Sequence, residues 1–242
     1  RSPFAPIGGQ MLTALCVIGL TISVMSNYAA DMVTDVFSLF GITIRGGNIT
    51  GSGSPPSIPI YYLTVAVLPA FTEEFAFRGI VMGSLRKYSD ALALVVSSAA
   101  FALMHGNFIQ LPFTFCCGLA FGLIAMKTNS LLPSIIIHFL NNALSVTTDV
   151  LIGYRVISVT ASNIIFNSLV ILLGVCSILF IRQIIRKEPH FFRFDDSDAD
   201  IPYREKMKTV TTSPTMITFA AVMLMYAAFI LAEPDRDRKS VV

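Results

Sequence analysis

IPIYYLTVAVLPAFTEEFAFRGIVMGSL (residues 58–85) is an apolar run long enough to cross a bilayer, interrupted near its centre by Glu73, Glu74 and Arg78. A helix needs about 20 apolar residues to cover the hydrocarbon core. Charges at that depth are costly, and each marks a candidate functional position. In a helix Glu74 and Arg78 are one turn apart on one face and can pair. Glu73 lies about 100° round the axis and has no partner on its own helix. One carboxylate is therefore neutralised by arginine and a second is left available. The bland alternative is that all three staple helices together. The unpaired Glu73 weighs against it, because it adds burial cost without adding compensation.

Outward from this run the chain has the same character. Of its 242 residues, 54% are hydrophobic and 13% are charged, about half the charged share of a soluble domain. The mean hydropathy is +0.72. Six further apolar stretches, at 11–30, 91–105, 108–126, 131–151, 163–181 and 215–231, give about seven expected transmembrane helices. The fold class is thus all-α, a polytopic integral membrane bundle. Within 91–105 the end is open, since Gly106 and Asn107 read equally as helix, turn or break. The Gly/Ser/Pro-rich 46–56 reads as a flexible loop, and the apolar 36–42 before it reads as an interfacial segment. No internal repeat is visible. Three regions are expected: an N-terminal anchor and loop over 1–57, a core over 58–152, and a C-terminal two-helix segment with a charged loop over 153–242.

The chain begins at Arg1 without a methionine, which reads as a trimmed chain or a fragment. The 11–30 run exceeds a signal-peptide core and lacks a small-x-small cleavage site, so it reads as a retained anchor. Seven of the 17 Lys and Arg residues lie between Arg182 and Lys208. Placing the 182–213 loop in the cytoplasm also places Arg86, Lys87 and Lys127 there, although the basic tail at Arg236, Arg238 and Lys239 falls outside. These basic residues sit in loops between apolar runs and signal topology, not nucleic-acid binding. The expected setting is a bacterial cytoplasmic membrane. Cys16, Cys116, Cys117 and Cys176 all fall inside apolar runs without metal-ligand spacing and read as packing residues.

Two of the three histidines also fall within spans. His105 follows Phe101 by one turn, and His138 precedes Asn142 by one turn, so each pair shares a helix face. Either pair alone is weak evidence, since a buried histidine is more often a packing residue. With a rise of about 1.5 Å per residue, Glu73 lies roughly 20 Å from either end of its span, and both histidines reach a similar depth. Three helices can thus converge on one polar cavity. Amide hydrolysis needs an activated water and a stabilised oxyanion. A desolvated carboxylate is a stronger base than one in water. Imidazole can orient a water, and a second imidazole with a carboxamide can donate to an oxyanion.

The motifs Glu73-Glu74-x-x-x-Arg78, Phe101-x-x-x-His105 and His138-x-x-x-Asn142, in this order on apolar helices, resemble the CAAX protease and bacteriocin-processing family, also called the ABI family. The resemblance covers about 58–150. It implies an all-helical intramembrane endopeptidase with Glu73 as general base and His105 helping to hold the water. It further implies His138 and Asn142 at the oxyanion, with Glu74 and Arg78 in support. Eukaryotic relatives trim prenylated CAAX proteins, and bacterial relatives are associated with peptide maturation, bacteriocin self-immunity and roles on partner membrane proteins. The expected partners are a prenylated or leader-bearing peptide or protein substrate and membrane lipid, with no nucleic acid. No cofactor is expected. Zinc at the Glu/His cluster is the minority reading, since H-E-x-x-H is absent. No nucleophile motif surrounds Cys116 and Cys117. Two readings compete: a non-catalytic family member acting in immunity or as a membrane chaperone, and a proton-coupled transporter using the Glu/His set as a relay. The lack of internal symmetry disfavours the transporter.

Overall fold

The computed structural model describes residues 7–41, 57–106, 109–194, 202–214, 216–218, 221–222 and 225. Those residues are helical almost throughout, and no strand forms among them. Helix α1 spans Gly9–Leu39, and α2 runs without a break over 58–85. Then follow α3 (Asp90–Met104), α4 (Gln110–Thr128), α5 (Leu132–Gly153), α6 (Val159–Lys187) and α7 (Tyr203–Thr211). The chain is a polytopic helical membrane bundle. Helices α1, α4, α5 and α6 are long and apolar enough to cross a bilayer. Helix α2 and the shorter α3 form over two more of the expected apolar stretches. The expected 215–231 span lies largely outside the described residues, as do the 46–56 loop and the acidic run at 195–200.

Local chemistry sets the helix ends. Ser89 accepts the Leu92 N–H at the start of α3, and Ser158 accepts the Ala161 N–H at the start of α6. Helix α3 stops at Gly106, whose φ of +60° is accessible to glycine without a Cβ clash; Asn107 lies outside the described residues. Helix α4 stops at Asn129, left-handed at φ 48°, the second choice after glycine for such a cap.

Two helices outrun their apolar stretches. Helix α1 continues to Leu39, so 36–39, expected at the interface, forms its last turn. Helix α6 continues to Lys187 and takes in Arg182, Arg186 and Lys187 from the expected loop. Once a helix leaves the hydrocarbon it needs no apolar residues, and cations favour a C-terminus. Part of the remaining 182–213 stretch is also helical, as α7.

Helix α4 runs through the middle, packed against α1, α3 and α5, while α2 leans on α3 and α5 and α6 lies outside against α1. In lipid, helices associate through small residues and buried polar contacts, and both occur here. A Cβ on Gly118 would come within 2.9 Å of the Ser98 Cα, so α3 and α4 cross almost backbone to backbone. Thr21 and Ser177 share a buried hydroxyl hydrogen bond of 2.7 Å between α1 and α6. Ile164, Ile171 and Leu172 on α6 remain 62–68% exposed, as expected for a lipid-facing surface.

Candidate active site

Glu74 and Arg78 are buried at 0% and 3% exposure. Arg78 Nη1 stands 3.0 Å from Glu74 Oε1 as the expected ion pair. The rest of the guanidinium is held from outside α2. Arg78 Nη2 donates to the Gly118 carbonyl at 3.3 Å. Its carbon lies 4.3 Å from the Phe101 ring centroid and 5.4 Å from that of Phe121, within cation–π range. The same glycine that lets α3 and α4 touch thus presents its carbonyl to the arginine.

His138 on α5 reaches both carboxylates. Its Nδ1 is 2.9 Å from Glu74 Oε1, and its Nε2 is 3.9 Å from Glu73 Oε2. An ionised carboxylate only accepts, so Nδ1 carries a proton and Glu74 fixes the ring's orientation. Nε2 is then an acceptor in the neutral ring and a donor in the imidazolium. Phe121 packs against the imidazole with ring centroids 5.4 Å apart.

Glu73 differs from its neighbour. Its side chain keeps 22% exposure, yet Oε2 is buried and lacks a hydrogen-bond partner among the described residues. The 3.9 Å gap to His138 Nε2 is too long for a direct hydrogen bond. One water can reach both atoms across such a gap.

His105 sits at the end of α3 with Nδ1 2.9 Å from the Phe101 carbonyl. A carbonyl only accepts, so Nδ1 carries the proton and Nε2 is the free end. Phe101 links the two histidines, its ring 4.9 Å from His105 and 5.8 Å from His138, edge-on to each. Asn142 donates from Nδ2 to the Val65 carbonyl at 3.1 Å, and its Oδ1 accepts from Asn141 Nδ2 at 3.2 Å. A primary amide has two N–H donors, so one remains.

The Val65 contact has a cause in α2. Two π-helical segments, Leu63–Val67 and Phe75–Met82, flank the α-helical Leu68–Glu74. In a regular helix the N–H of residue 69 would bond to Val65, but Pro69 has none. With no N–H at residue 69, the Val65 carbonyl is open to the side-chain donor of Asn142. π-Segments often accompany functional positions. Glu73 and Glu74 on α2 therefore meet His138 on α5 directly, His105 joins them through the Phe101 ring, and Asn142 touches α2 at Val65. Sequence reasoning missed Val65, Gly118, Phe121 and Asn141. Only Pro69, a proline inside a span, offered a signal. A zinc site needs three converging protein donors, and among the described residues no such group of His, Cys, Asp or Glu forms.

Residues 55–144 match the family model described as type II CAAX prenyl endopeptidase Rce1-like. The chain is 35% identical over 101 residues to the membrane-embedded CAAX protease MroQ of Staphylococcus aureus (strain USA300). That match takes in 39% of this chain and spans 41% of the relative's length. No solved structure matches the chain. The matched segment carries α2, α3, α4 and the first half of α5, and with them the three motifs. Over residues 55–144, this membrane protein is similar to the type II CAAX prenyl endopeptidase Rce1-like family and to a membrane-embedded CAAX protease.

Proposed function

We propose that the chain hydrolyses a peptide bond within the membrane by a glutamate-activated water, without a metal, and that 58–152 is its catalytic core. The observation that carries this reading is the buried, unbonded Glu73 Oε2 facing His138 Nε2 across 3.9 Å. A water held there is placed against a carboxylate whose neighbour, Glu74, is already committed to Arg78 and His138. Glu73 removes a proton from the water as its oxygen attacks the scissile carbonyl. The protonated Glu73 then delivers that proton to the departing nitrogen as the C–N bond breaks. His105 supports the water through Nε2. The oxyanion is met by His138 Nε2–H in its imidazolium form, stabilised by Glu74 on the other nitrogen, and by the remaining N–H of Asn142.

The substrate we propose is a membrane-associated peptide or protein, prenylated or leader-bearing. The basic end of the bundle favours a cytoplasmic position for 182–213 in a bacterial cytoplasmic membrane. Arg86 Nη1 bonds Asn129 Oδ1, and Lys127 Nζ bonds the Arg193 carbonyl, so Arg86, Lys127 and Arg193 share that end.

The test is cleavage of prenylated and leader-type peptides by purified protein in nanodiscs, with Glu73→Ala and His138→Ala alongside, with and without a chelator. Wild type is expected to cleave at least one peptide. Glu73→Ala should lower kcat by about 10²–10⁴, the usual range for a lost general base. Chelator should change nothing. Loss of activity on chelation, restored by zinc, would overturn the metal-free mechanism, and full activity of Glu73→Ala would overturn the role of that residue. The fully buried Glu74–Arg78–His138 network also suits a non-catalytic staple. That second reading is favoured if no peptide is cleaved and both variants keep an immunity or partner-stabilising activity in cells.

A further inference from the structure

Beyond the proposed catalytic centre, the basic end of the bundle holds a hollow of about 350 Å³ lined by Lys127, Glu188, Pro189, His190, Phe191 and Arg193. This lies at the lower end of the volume range of small-ligand sites. The hollow has a fixed frame. Phe191 and Phe192 pack back onto the α1–α4–α6 core, and Lys127 Nζ donates to the Arg193 carbonyl, tying the turn after α6 to the last turn of α4. Lys127 keeps further N–H donors. Among the described residues neither Lys127 nor Arg193 has a carboxylate partner.

Its position gives the ligand a second requirement. Lys127 lies in the last turn of α4 and Glu188 just past the end of α6, two helices long and apolar enough to cross a bilayer, and in a membrane such ends meet the lipid headgroups. On the preceding turns of α6, Ile178, Leu179 and Ile185 are 46–59% exposed. A soluble anion would use the cationic part of this surface and leave the apolar strip idle, whereas a lipid uses both. Glu188 adds a chemical preference, since a carboxylate beside a phosphate site favours a headgroup with hydroxyl donors.

We propose that this hollow binds an anionic phospholipid with a hydroxylated headgroup, of the phosphatidylglycerol type. Its phosphate lies between Lys127 and Arg193, a headgroup hydroxyl donates to Glu188, and the acyl chains follow α6.

The chain contains no tryptophan, so Phe194→Trp, beside Lys127, installs a single fluorophore at the rim. The variant is placed in nanodiscs containing acyl-brominated phosphatidylglycerol or, at the same mole fraction, acyl-brominated phosphatidylcholine. Quenching by the phosphatidylglycerol form should be at least threefold stronger. The preference should vanish with Lys127→Gln and Arg193→Gln combined, at an unchanged thermal midpoint. Glycerol phosphate in solution should not relieve it. Equal quenching by the two lipids, or a preference that survives the double substitution, overturns the proposal. Relief by glycerol phosphate overturns it in favour of a soluble ligand. A preference that emerges only when Asp195, Asp196, Asp198 and Asp200 are changed to Asn overturns it in favour of the chain's own acidic run.

Discussion

Glu74 accepts from His138 and faces Arg78 with one oxygen, at 2.9 and 3.0 Å, and these contacts are its compensation for complete burial. Removing one partner of a buried pair strands the other charge, typically at a cost of about 3–5 kcal/mol. Arg78→Met should therefore destabilise the bundle by about that amount, measured by reversible unfolding in micelles. Combining Arg78→Met with Glu74→Gln should recover most of the loss, because both charges then disappear. A single substitution as stable as the parent would show that the pair is not holding the helices. At this scale the helical angle between Glu73 and Glu74 made it legible in the sequence that Glu74 pairs with Arg78 and Glu73 does not. What it did not reveal was His138 reaching both carboxylates. That contact joins residues 64 apart, and no local pattern encodes it. Nor did any pattern mark Phe121, one of 19 phenylalanines in the chain.

At the scale of the element, α2 shifts from π-helical to α-helical bonding beside Pro69, which offers Val65 no N–H, and Asn142 donates to the Val65 carbonyl. Pro69→Ala restores an N–H at that position and gives Val65 an intrahelical donor. The helix itself should gain, since proline is about 3 kcal/mol poorer than alanine in a helix interior. Asn142 loses its anchor, so the thermal midpoint should hold or rise while kcat falls roughly tenfold, about 1.4 kcal/mol in the barrier. Unchanged turnover would sever the proline from the site. The existence of this span was plain from its hydropathy, and its polar centre from its charges. Its π-helical segments were not, because a shift of one residue in bonding leaves the apolar pattern unchanged. The ends of α1 and α6 were also misjudged, since hydropathy measures where lipid stops and not where the helix does.

For the whole molecule, the outermost helix α6 is joined to the bundle chiefly through α1, with Thr21–Ser177 as a buried clasp and Tyr28 donating to Asn167 at 2.6 Å nearer one end. Interhelical hydrogen bonds in membranes couple by about 0.6 kcal/mol on average, and up to about 1.7. A double-mutant cycle of Thr21→Val and Ser177→Ala should give a coupling in that range. A value near zero would mean that packing alone seats α6. The all-helical membrane class could be read from composition. The order of packing could not, since α4 sits centrally through Gly118 and Ser98, two small residues that look unremarkable in a hydropathy profile.

The i,i+4 arrangement of Glu74 and Arg78 bears on how the protein is made. During synthesis α2 reaches the bilayer well before α5, and His138 is translated 64 residues after Glu74. At about 5–20 residues per second, that interval is on the order of 3–13 seconds. Throughout it, Arg78 is the one counter-charge that accompanies Glu74 by being part of the same helix. The pair that later underpins the site thus also serves as a travelling companion, letting a charged segment wait in or beside the insertion machinery until the rest of the bundle arrives.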